Sequence, residues 1–569
     1  MSNPPADTPD LTPYQGNWVA LVRGQVAGVG QTGHAAARMA RRNRPKEKFT
    51  LQFVEPAGGE PLPLSPLLET LRPHLAQLET PIYLVGGAVR DALLGRVSYD
   101  LDFVVPEKGI AIAFQLGNAL HQPAYPLDEE RDTGRVVLPD TYLDVACFRG
   151  GDLLADLRAR DFTINAIALP AAASRTTSLI DPCQGQADLQ ARLIRQASPT
   201  SLSDDPLRGL RAIRQAVQLG FTIEPETEQA IVAAAPQLSR VSAERGRDEF
   251  LKLLLTPAPH QALQQMHQLG LMNVLLPELV ALQEVEQSPP HHEPVLAHTF
   301  SVLAWLTRVE GWVQGQTVTE SHLLPAAKAL TPYATQLADY LARPLDGGVN
   351  GWTVLRLGAL FHDVGKGATQ TRDASGRIRF FNHDEVGARN AGPVLARLRL
   401  SREAGQQVQK IVAGHMRPLH LIQSDAPTPR AVYRFFKAMG VNGLDVLLLS
   451  LADHLATYDG VGDAAAWRKL CALVSWLLDH YFHQQERTIS PPPLLNGHQL
   501  MQELALPPGP QVGQLLRLIE EAQAVGEVKT VDEALALARR EVGKSETAIG
   551  SPAKAVNLQS RNHSYTNTV

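Results

Sequence analysis

Short apolar runs and helical periodicities alternate along the chain and separate an α/β part from a long helical part. Tyr83–Val85 is a short apolar run that the glycine pair at 86–87 interrupts, which is typical of a buried strand followed by a turn. Residues 88–94 then predict a short helix, and residues 103–105 continue a second β-rich run. From 207 to about 282, apolar residues recur at three- and four-residue spacing, which predicts a series of helices.

The two ends of the chain have patterns of their own. Residues 18–30 predict a hairpin turning near Arg23-Gly24, residues 32–42 a helix and residues 48–54 a returning strand, which gives a ββαβ unit. Residues 56–66 are rich in Pro and Gly and predict a linker. Helices are expected over 464–481, 512–524 and 531–540, and disorder is expected from about 544, where large apolar residues become rare.

Two carboxylates lie close together in the apolar run that follows the glycine pair. Asp100 and Asp102 are two residues apart, so strand alternation places both on one face. Such a pair can hold two Mg²⁺ ions, and Gly86 and Gly87 allow a backbone to approach phosphates closely. A lone Asp-x-Asp is more often a turn or a cap, but carboxylates inside an apolar strand are costly without a partner.

A second pattern, Asp204-Asp-Pro-Leu-Arg208, stands at the start of a predicted helix. Asp205 and Arg208 are three residues apart and share a helical face. A carboxylate accepts from a base amino group and a guanidinium donates to a ring nitrogen and carbonyl, so together they can imitate a base-pairing partner. The segment also suits a helix N-terminus, with Asp204 or Asp205 as cap and Pro206 in the first turn, and the two interpretations are compatible.

The motifs of the first half resemble those of class II CCA-adding tRNA nucleotidyltransferases and the related bacterial poly(A) polymerases. The resemblance implies that Asp100 and Asp102 bind Mg²⁺ and that Asp144 supplies a third catalytic carboxylate. It implies tRNA as partner, contacted at its acceptor arm and elbow, and CTP or ATP as the second substrate. The residues expected to contact the nucleotide are Gly86, Gly87, Arg90, Arg160, Asp161, Asn165, Asp205, Arg208, Arg211 and Arg214.

Histidines and carboxylates between residues 298 and 453 resemble the HD superfamily of metal-dependent phosphohydrolases. The resemblance implies one metal held by His298, His362, Asp363 and Asp453, and a second at His383 and His415. Lys366 would neutralise a phosphate. These ligands suit Mn, Ni, Co, Fe or Zn, and the sequence does not choose among them. The implied reaction is hydrolysis of phosphoesters such as 2′,3′-cyclic phosphates, unless the domain is kept only as a structural body.

The chain departs from the family pattern at three positions. Ala159 stands where the family has an arginine, so one cationic contact is expected to be missing, and Asp204 replaces the usual Glu. Only residues 150–159 separate Arg149 from Arg160, where CCA-adding members have a long flexible loop that reshapes the base pocket from CTP to ATP. This loss resembles the CC-adding branch, which adds two cytidines and leaves the adenosine to a sister enzyme.

The short loop leaves other functions open. A shortened surface loop could be tolerated with full CCA addition, and A-addition or poly(A) synthesis stays within the same chemistry. From different classes, the chain could be an HD phosphohydrolase whose head only holds RNA, or an RNA-binding protein with an inactive head. The intact Asp-x-Asp and the Asp205–Arg208 pair argue against the first of these, and the presence of every expected metal ligand argues against the second.

The expected architecture is α+β and multidomain, with a polymerase β-like nucleotidyltransferase head followed by helical parts. The predicted domains are a small ββαβ domain (1–55), linker (56–66), head (67–200), helical neck and RNA-binding domain (201–290), HD domain (291–460), helical tail (461–543) and disordered tail (544–569).

Composition adds little to this expectation. The net charge of −5 does not indicate nucleic-acid binding, although RNA affinity needs only a local basic face. Residues 38–48 form the densest basic run, with six Lys or Arg against Glu47, and a solvated helix end explains it more readily. Three cysteines without metal-ligand spacing favour a reducing cytoplasm, and no apolar run has the roughly 20 residues of a membrane span. The oligomeric state is not predicted.

Overall fold

The computed structural model describes residues 9–139, 141–423 and 428–549, of which 544–549 are described by backbone alone. The chain divides into two compact units. The first contains residues up to Gln283 together with Val394–Leu400, and the second contains Glu284–Pro393 and the residues from Ser401 onward.

The first unit begins with the expected ββαβ unit. Its elements are β1 (Trp18–Val22), β2 (Gln25–Gly30), α1 (Gly33–Asn43) and β3 (Thr50–Phe53), and the antiparallel sheet has the order β2-β1-β3. The hairpin turns at Arg23 and Gly24, which both have positive φ. Alanines 36, 37 and 40 form the buried face of α1, so small side chains let the helix lie close against the sheet.

The head is built on a six-stranded sheet in the order β6-β7-β8-β5-β4-β9. Within it β5 and β8 are parallel, and the other neighbours are antiparallel. Its elements are α2 (Pro66–Leu75), β4 (Tyr83–Val85), α3 (Gly87–Leu93), β5 (Leu101–Val105), α4 (Gly109–Leu120), β6 (Ala124–Asp128), β7 (Thr133–Val137), β8 (Tyr142–Cys147), α5 (Leu153–Arg158), β9 (Ala168–Pro170), α6 (Gly185–Ala191) and β10 (Leu193–Ile194).

Helices follow the head, as the periodicity predicts. They are α7 (Ser201–Asp204), α8 (Arg208–Leu219), α9 (Pro225–Ala234), α10 (Ala243–Leu254), α11 (Pro259–Gln268), α12 (Leu271–Leu275) and α13 (Pro277–Val280), with a short β11 (Thr222–Ile223) that pairs with β10. Helix α8 is amphipathic, because Leu210 and Ile213 are buried while arginines recur every third residue on another face. Gly220 ends it with a positive φ of 70°.

The second unit is mainly helical. Its elements are α14 (Val295–Val313), α15 (Leu324–Leu330), α16 (Ala334–Ala342), β12 (Pro344–Leu345), β13 (Val349–Asn350), α17 (Gly351–Phe361), α18 (Lys366–Thr369), β14 (Gln370–Arg372), β15 (Ile378–Phe380), α19 (His383–Arg397, whose last residues belong to the first unit), α20 (Arg402–Gly414), α21 (Arg417–Ile422), α22 (Pro429–Met439), α23 (Gly443–Thr457), α24 (Ala464–His483), α25 (Gln485–Thr488), α26 (Gly497–Leu504), α27 (Pro510–Ala524) and α28 (Val531–Ile549).

Two features of this unit differ from simple expectation. Helix α28 continues to Ile549, so residues 544–549 are helical and do not belong to the predicted disordered tail, while residues 550–569 lie outside the described part. By length and composition, Pro429–Thr457 is apolar enough to cross a membrane. It comprises α22 and α23, however, and 72% of its most apolar window is buried inside the protein.

Candidate active site and metal centre

Carboxylates meet at the centre of the head sheet. Asp102 on β5 and Asp144 on β8 are register partners on neighbouring parallel strands. Asp100 lies one residue before β5, and its carboxylate accepts a hydrogen bond from the Thr141 hydroxyl at 2.6 Å. Although Asp102 reaches solvent, the surrounding protein desolvates its carboxylate, and this burial together with the charge of Asp144 raises its pKa. Carboxylate oxygens are the ligands that Mg²⁺ prefers.

An arginine from the adjacent strand orients Asp144. Arg135 on β7 donates from Nε to Oδ1 at 2.7 Å and from Nη2 to Oδ2 at 2.8 Å, a bidentate pair. Its guanidinium also lies over the Tyr142 ring, 4.6 Å from the ring centroid. Because Asp144 is already paired, Asp100 and Asp102 have the more available oxygens.

Gly86 keeps open a space between a carboxylate and an arginine. Its φ is +72°, and a Cβ built there would lie 3.4 Å from Oδ2 of Asp102 and 3.5 Å from Nη1 of Arg160. Gly87 begins α3 immediately afterwards. Gly86, Asp102 and Arg160 therefore adjoin one space, whereas a Cβ at Gly87 would lie 3.5 Å from Nη2 of Arg90.

A buried carboxylate joins the β8–α5 connection to Arg160. Asp156 on α5 is 1% exposed, and its Oδ1 accepts from the backbone N–H of Arg149 at 3.1 Å. Its Oδ2 accepts from Nε and Nη2 of Arg160 at 3.2 and 3.0 Å. The same side chain therefore positions the start of the connection and the arginine that faces Gly86.

The connection between β8 and α5 is short and anchored. It consists of residues 148–152, with positive φ at Gly150 and Gly151. At its far end the Asp152 carboxylate accepts from the N–H of Ala155 at 2.8 Å and caps α5. Asp156 fixes its near end, so both ends of the connection are hydrogen-bonded to α5.

Arginines dominate the lining of a cavity of about 480 Å³ in the first unit. Arg211 is paired with Asp161 at 2.9 Å, and Arg245 with Asp205 at 2.7 Å. This cationic excess suits a polyanion such as a nucleoside triphosphate. The lining residues are Arg131, Arg149, Ala159, Arg160, Asp161, Asp204, Asp205, Arg208, Arg211 and Arg245.

Arg149 and Arg131 are cations of this cavity that sequence reasoning missed. The Arg149 side chain has no carboxylate within 4.0 Å in the described part of the chain, and desolvation and the charge of Arg160 lower its pKa. Because a guanidinium keeps its proton, this environment favours an anionic ligand. Arg131 has Asp128 at 3.7 Å. The signal in the sequence was Arg149 at the start of the short loop, two residues after β8.

Asp161 and Asn165 support the cavity from within. Asp161 accepts from Nε of Arg211 at 3.0 Å and from the Asn165 side chain at 3.0 Å. Asn165 in turn accepts from Arg90 at 2.9 Å and donates to Gln215 at 3.0 Å. Asn165 is buried, and neither it nor Arg90 is among the cavity-lining residues, so the structure does not bring these two predicted residues into the cavity.

Arg214 also lies outside the cavity lining. Its guanidinium is hydrogen-bonded to Glu249 on α10 and, at 2.9 Å, to Gln218 on its own helix. The structure thus places Arg214 outside this cavity, with its charge used to pack α8 against α10.

Arg208 is engaged with the end of α5. Its Nη1 donates to the Arg160 carbonyl at 3.1 Å and to the Ser201 hydroxyl at 2.8 Å, and its Nη2 donates to the Ala159 carbonyl at 2.9 Å. It thus satisfies carbonyls at a helix C-terminus. Arg208 and Asp205 both line the cavity. Both interpretations of this motif, helix-terminal contact and ligand contact, fit the geometry.

The first group of HD residues surrounds a buried carboxylate in the second unit. Nitrogen Nε2 of His362 lies 3.1 Å from Oδ2 of Asp363, and Nε2 of His298 lies 3.0 Å from Oδ1 of Asp453. His298, His362 and Asp363 together form one potential metal-binding group. Burial alone would raise the pKa of Asp363, but the positive charges of His362 and Lys366 outweigh it and lower that pKa well below its usual range.

The second group shares Asp363 with the first. Nitrogens Nε2 of His383 and His415 lie 3.4 and 3.8 Å from Oδ1 of Asp363, and 3.1 Å from each other. Burial lowers the pKa of His415 to about 4, which keeps its ring neutral and able to bind a metal. One carboxylate between two sets of imidazoles is the arrangement expected of a two-metal centre.

The Nδ1 atoms of three of these histidines are hydrogen-bonded to the backbone. Those of His362, His383 and His415 lie 2.7, 2.9 and 2.7 Å from the backbone carbonyls of Ala359, Phe380 and Val412. A carbonyl accepts only from an N–H, so Nε2 is the nitrogen through which each ring, in its neutral form, can bind a metal ion at the centre. The donor set therefore fits metal ions.

The surroundings of the centre contain further polar groups. Lys366 lies 2.7 Å from Oδ2 of Asp363 and donates to Gln287 at 2.6 Å. Lys366, Asp363 and Asp453 line a cavity of about 470 Å³ with Phe380 and His291. His291, which sequence reasoning missed, packs against His298 with ring centroids 5.0 Å apart. The signal for it was the His291-His292 pair after two prolines.

Comparison with protein families identifies the parts of the chain. Residues 82–195 match the poly A polymerase head domain, and residues 220–282 match an RNA and SrmB-binding site of polymerase A. Residues 333–458 match the HD domain, and residues 479–538 match domain 2 of tRNA nucleotidyltransferases.

Comparison with individual proteins extends this result over most of the chain. An A-adding tRNA nucleotidyltransferase of Deinococcus radiodurans is 36% identical over 82% of this chain and 97% of its own length. A CC-adding tRNA nucleotidyltransferase of Thermus thermophilus is 34% identical over 84% of this chain and 99% of its own. The fold is similar to that of a CCA-adding enzyme solved with CTP, with a TM-score of 0.56 at 22% identity over 84% of this chain and 96% of that one. The chain belongs to the tRNA nucleotidyltransferase family and is a nucleotidyltransferase that carries an HD domain.

Proposed function

We propose that this enzyme adds cytidines to the 3′ end of tRNA and stops after two. The observation that carries the proposal is the five-residue connection between β8 and α5, hydrogen-bonded to α5 at both ends. The resemblance to CCA-adding enzymes implies a long loop there, which acts as a lever to change the base pocket from CTP to ATP. A connection held by Asp156 and Asp152 has neither the length nor the freedom to act in that way. The CC-adding relative from Thermus supports the same function.

In the proposed reaction the 3′-hydroxyl of an immature tRNA attacks the α-phosphate of CTP, and pyrophosphate leaves. Asp100 and Asp102 would hold divalent cations, Mg²⁺ by preference, with Asp144 assisting. Bound there, these ions would activate the attacking oxygen and neutralise charge on the leaving group. Arg135 keeps the Asp144 carboxylate in a fixed orientation toward this group.

Cations of the cavity hold the triphosphate in this proposal. Arg160 faces the space beside Gly86, where the backbone is close enough to contact phosphate oxygens. Arg149, which has no carboxylate partner in the described part of the chain, provides the positive charge that Ala159 lacks. The missing family arginine is thereby replaced from a different position rather than lost.

Asp205 and Arg208 select the base. Arg245 holds the Asp205 carboxylate, and Arg208 is fixed by its contacts with the end of α5, so both side chains are ordered before a nucleotide binds. In this proposal the Asp205 carboxylate provides a further acceptor contact and the Arg208 guanidinium a donor contact to cytosine. Selection by a rigid pair agrees with an enzyme that has one preferred base.

Addition of the terminal adenosine is the second candidate, because the Deinococcus relative is named an A-adding enzyme. The two functions require different tRNA ends. We would measure incorporation on a tRNA ending at the discriminator base and on a matched tRNA ending in CC, each with Mg²⁺ and CTP, ATP or both. Two cytidines on the first tRNA and no addition to the second would support the proposal. Adenosine added only to the second would establish A-addition, and completion to CCA or a long A tract would contradict both.

We also propose that the HD domain binds two transition-metal ions and hydrolyses phosphoesters, with 2′,3′-cyclic phosphates as the test substrate. The shared carboxylate of Asp363 and the three Nε2 atoms directed at it support this proposal. Lys366 would contact the phosphate. Hydrolysis of 2′,3′-cyclic AMP should depend on added Mn, Ni, Co, Fe or Zn and should be lost in Asp363→Ala. If the metal-loaded protein does not hydrolyse this substrate, the domain has a structural role instead.

A further inference from the structure

The small ββαβ domain carries a concentrated positive charge that the reaction does not use. Its basic face is defined here by six exposed residues: Arg38, Arg41, Arg42, Arg44, Lys46 and Lys48. Arg23, also exposed, adjoins them, and Glu47 is the one acidic residue between positions 23 and 48. The domain lies outside the matched family regions, which begin at residue 82. A strongly basic surface is therefore concentrated on one small domain of a chain with net charge −5.

The basic face is continuous at one end of the domain. Arg23 in the hairpin turn lies 3.1 Å from Glu47, and Arg44 lies 3.6 Å from the same carboxylate, so the turn and the end of α1 meet there. Arg38 and Arg42 are four residues apart on the exposed face of α1. The helix dipole favours cations only in the last turn of α1 and gives no reason for Lys46 and Lys48, which follow the helix.

The opposite end of α1 is docked on the head. A Cβ at Gly33 would lie 2.2 Å from the Ala76 carbonyl oxygen, which shows how closely the helix start approaches the segment after α2. His34 lies 3.7 Å from Glu79. The Glu55 carboxylate accepts from the Ser174 hydroxyl at 3.0 Å and from the Arg175 N–H at 3.1 Å. Eleven helical residues span about 16 Å, so the basic face is presented at a fixed distance from this docking site.

We propose that the basic face binds phosphates of the tRNA substrate away from its reacting 3′ end. The proposal depends on membership in the tRNA nucleotidyltransferase family but not on which nucleotide is added. Lysine and arginine contacts to a phosphate backbone require no base recognition, and a fixed array of them binds folded RNA by charge and shape. An anionic membrane is disfavoured, because among the described residues of this domain Met39 is the one large apolar side chain that is exposed.

The test is a charge reversal in the full-length enzyme. Arg38→Glu, Arg42→Glu and Lys46→Glu are combined, whereas Arg41 is kept because its guanidinium lies over the Phe49 ring and stabilises the domain. We expect the KM for tRNA to rise about tenfold at low salt, with kcat and the KM for the nucleotide unchanged. The slope of log affinity against log salt should fall by about two to three, which is the loss of three phosphate contacts.

Controls separate this effect from net charge and from misfolding. Lys328→Glu, Arg402→Glu and Arg468→Glu change the charge equally at exposed positions in the second unit and should leave the KM for tRNA unchanged. Neutral Gln at the three test positions should give an intermediate KM. An unchanged KM for tRNA in the charge-reversal variant would overturn the proposal. Loss of binding to phosphatidylserine vesicles with unchanged tRNA kinetics would also overturn it, and would assign the face to a membrane.

Discussion

His383 and His415 face each other through their Nε2 atoms, which are 3.1 Å apart. Each ring also has its Nδ1 at hydrogen-bond distance from a backbone carbonyl, so in the neutral form of either ring Nε2 carries the lone pair. Two lone pairs at this distance repel each other unless a cation lies near both. The pair is therefore suited to share a cation, either a proton or a metal ion, between its two Nε2 atoms.

Replacing one of these histidines should remove one metal ion and leave the other. In His415→Ala we expect bound transition metal to fall from two equivalents per chain to one, because His298, His362 and Asp363 still form the other metal-binding group. Elemental analysis after dialysis measures this directly. His291→Ala is the matched control and should retain two equivalents, since His291 packs beside the centre without belonging to either ligand group. Two equivalents in both variants would contradict the assignment.

An arginine at position 149 or at position 159 should provide the same positive charge to the cavity. Arg149→Ala removes a cavity cation without a carboxylate partner, so we expect the KM for CTP to rise about ten- to a hundredfold, the effect of losing one charged contact of about 1.5–3 kcal/mol. Adding Ala159→Arg to this variant should restore most of the loss, because it returns a cation at the family position. Steady-state kinetics with varied CTP would test both. Failure of the double variant to recover would mean that Arg149 acts through its loop and not through its charge.

Arg208→Ala should weaken the choice of base. The ratio of kcat/KM for CTP over ATP is expected to fall at least about tenfold, because a donor to the base is lost. Arg245→Ala tests the neighbouring contact and should have a smaller effect, since Asp205 remains in place. Competition between labelled CTP and ATP measures the ratio. An unaltered preference would show that Arg208 only holds the end of α5.

Asp102→Ala should abolish nucleotide addition while leaving the HD centre intact. Its carboxylate is central to the donor set of the head, whereas the HD residues belong to the other compact unit. Addition should drop by more than about a thousandfold, the usual consequence of losing a ligand to a catalytic metal ion. Metal content at the HD site and the melting curve provide the check on folding. Retained addition would exclude the proposed role of Asp102.

Stability of the second unit should depend on pH through Asp445. This buried carboxyl accepts from the Tyr340 hydroxyl at 2.5 Å, and burial raises its pKa to about 6. Because the folded protein holds this proton more tightly than the unfolded chain, the contribution to stability is full below about pH 4. It is lost as pH rises through 6, by an amount on the order of 3 kcal/mol.

The Asp445→Asn variant isolates this effect. The Tm of the variant minus the Tm of the unmodified protein should increase steadily between pH 4 and pH 7, because the amide does not ionise. Thermal unfolding in buffers across this range gives the difference. A constant difference in Tm at all pH values would mean that folding does not change the pKa of Asp445.

Motifs in which spacing alone sets the geometry could be predicted from the sequence. Strand β4, the glycine pair and the start of α3 lie where the apolar run and its interruption predict them, and Asp102 is beside Asp144 because β5 and β8 are neighbours. The HD ligands converge as the resemblance to that superfamily implies. In these cases a local pattern is sufficient.

Contacts between side chains distant in sequence could not be predicted. Nothing local indicates that Glu249 pairs with Arg214, that Arg135 holds Asp144, or that Arg208 contacts the end of α5. Each depends on which charged side chains face each other after packing, and a sequence pattern contains no such information. Arg214 therefore lies outside the cavity and is paired with Glu249, although its helix was correctly predicted.

The hydrogen bonds of Asp156 have a consequence for how base specificity can evolve or be engineered. One carboxylate accepts from both the Arg149 N–H at the start of the connection and the Arg160 guanidinium. A loop inserted at Gly150 or Gly151 would separate Arg149 from Asp156 but would leave the second contact in place, because Asp156 and Arg160 are only four residues apart. The connection can therefore be lengthened without displacing the arginine beside Gly86, which makes it a site where base specificity can be engineered.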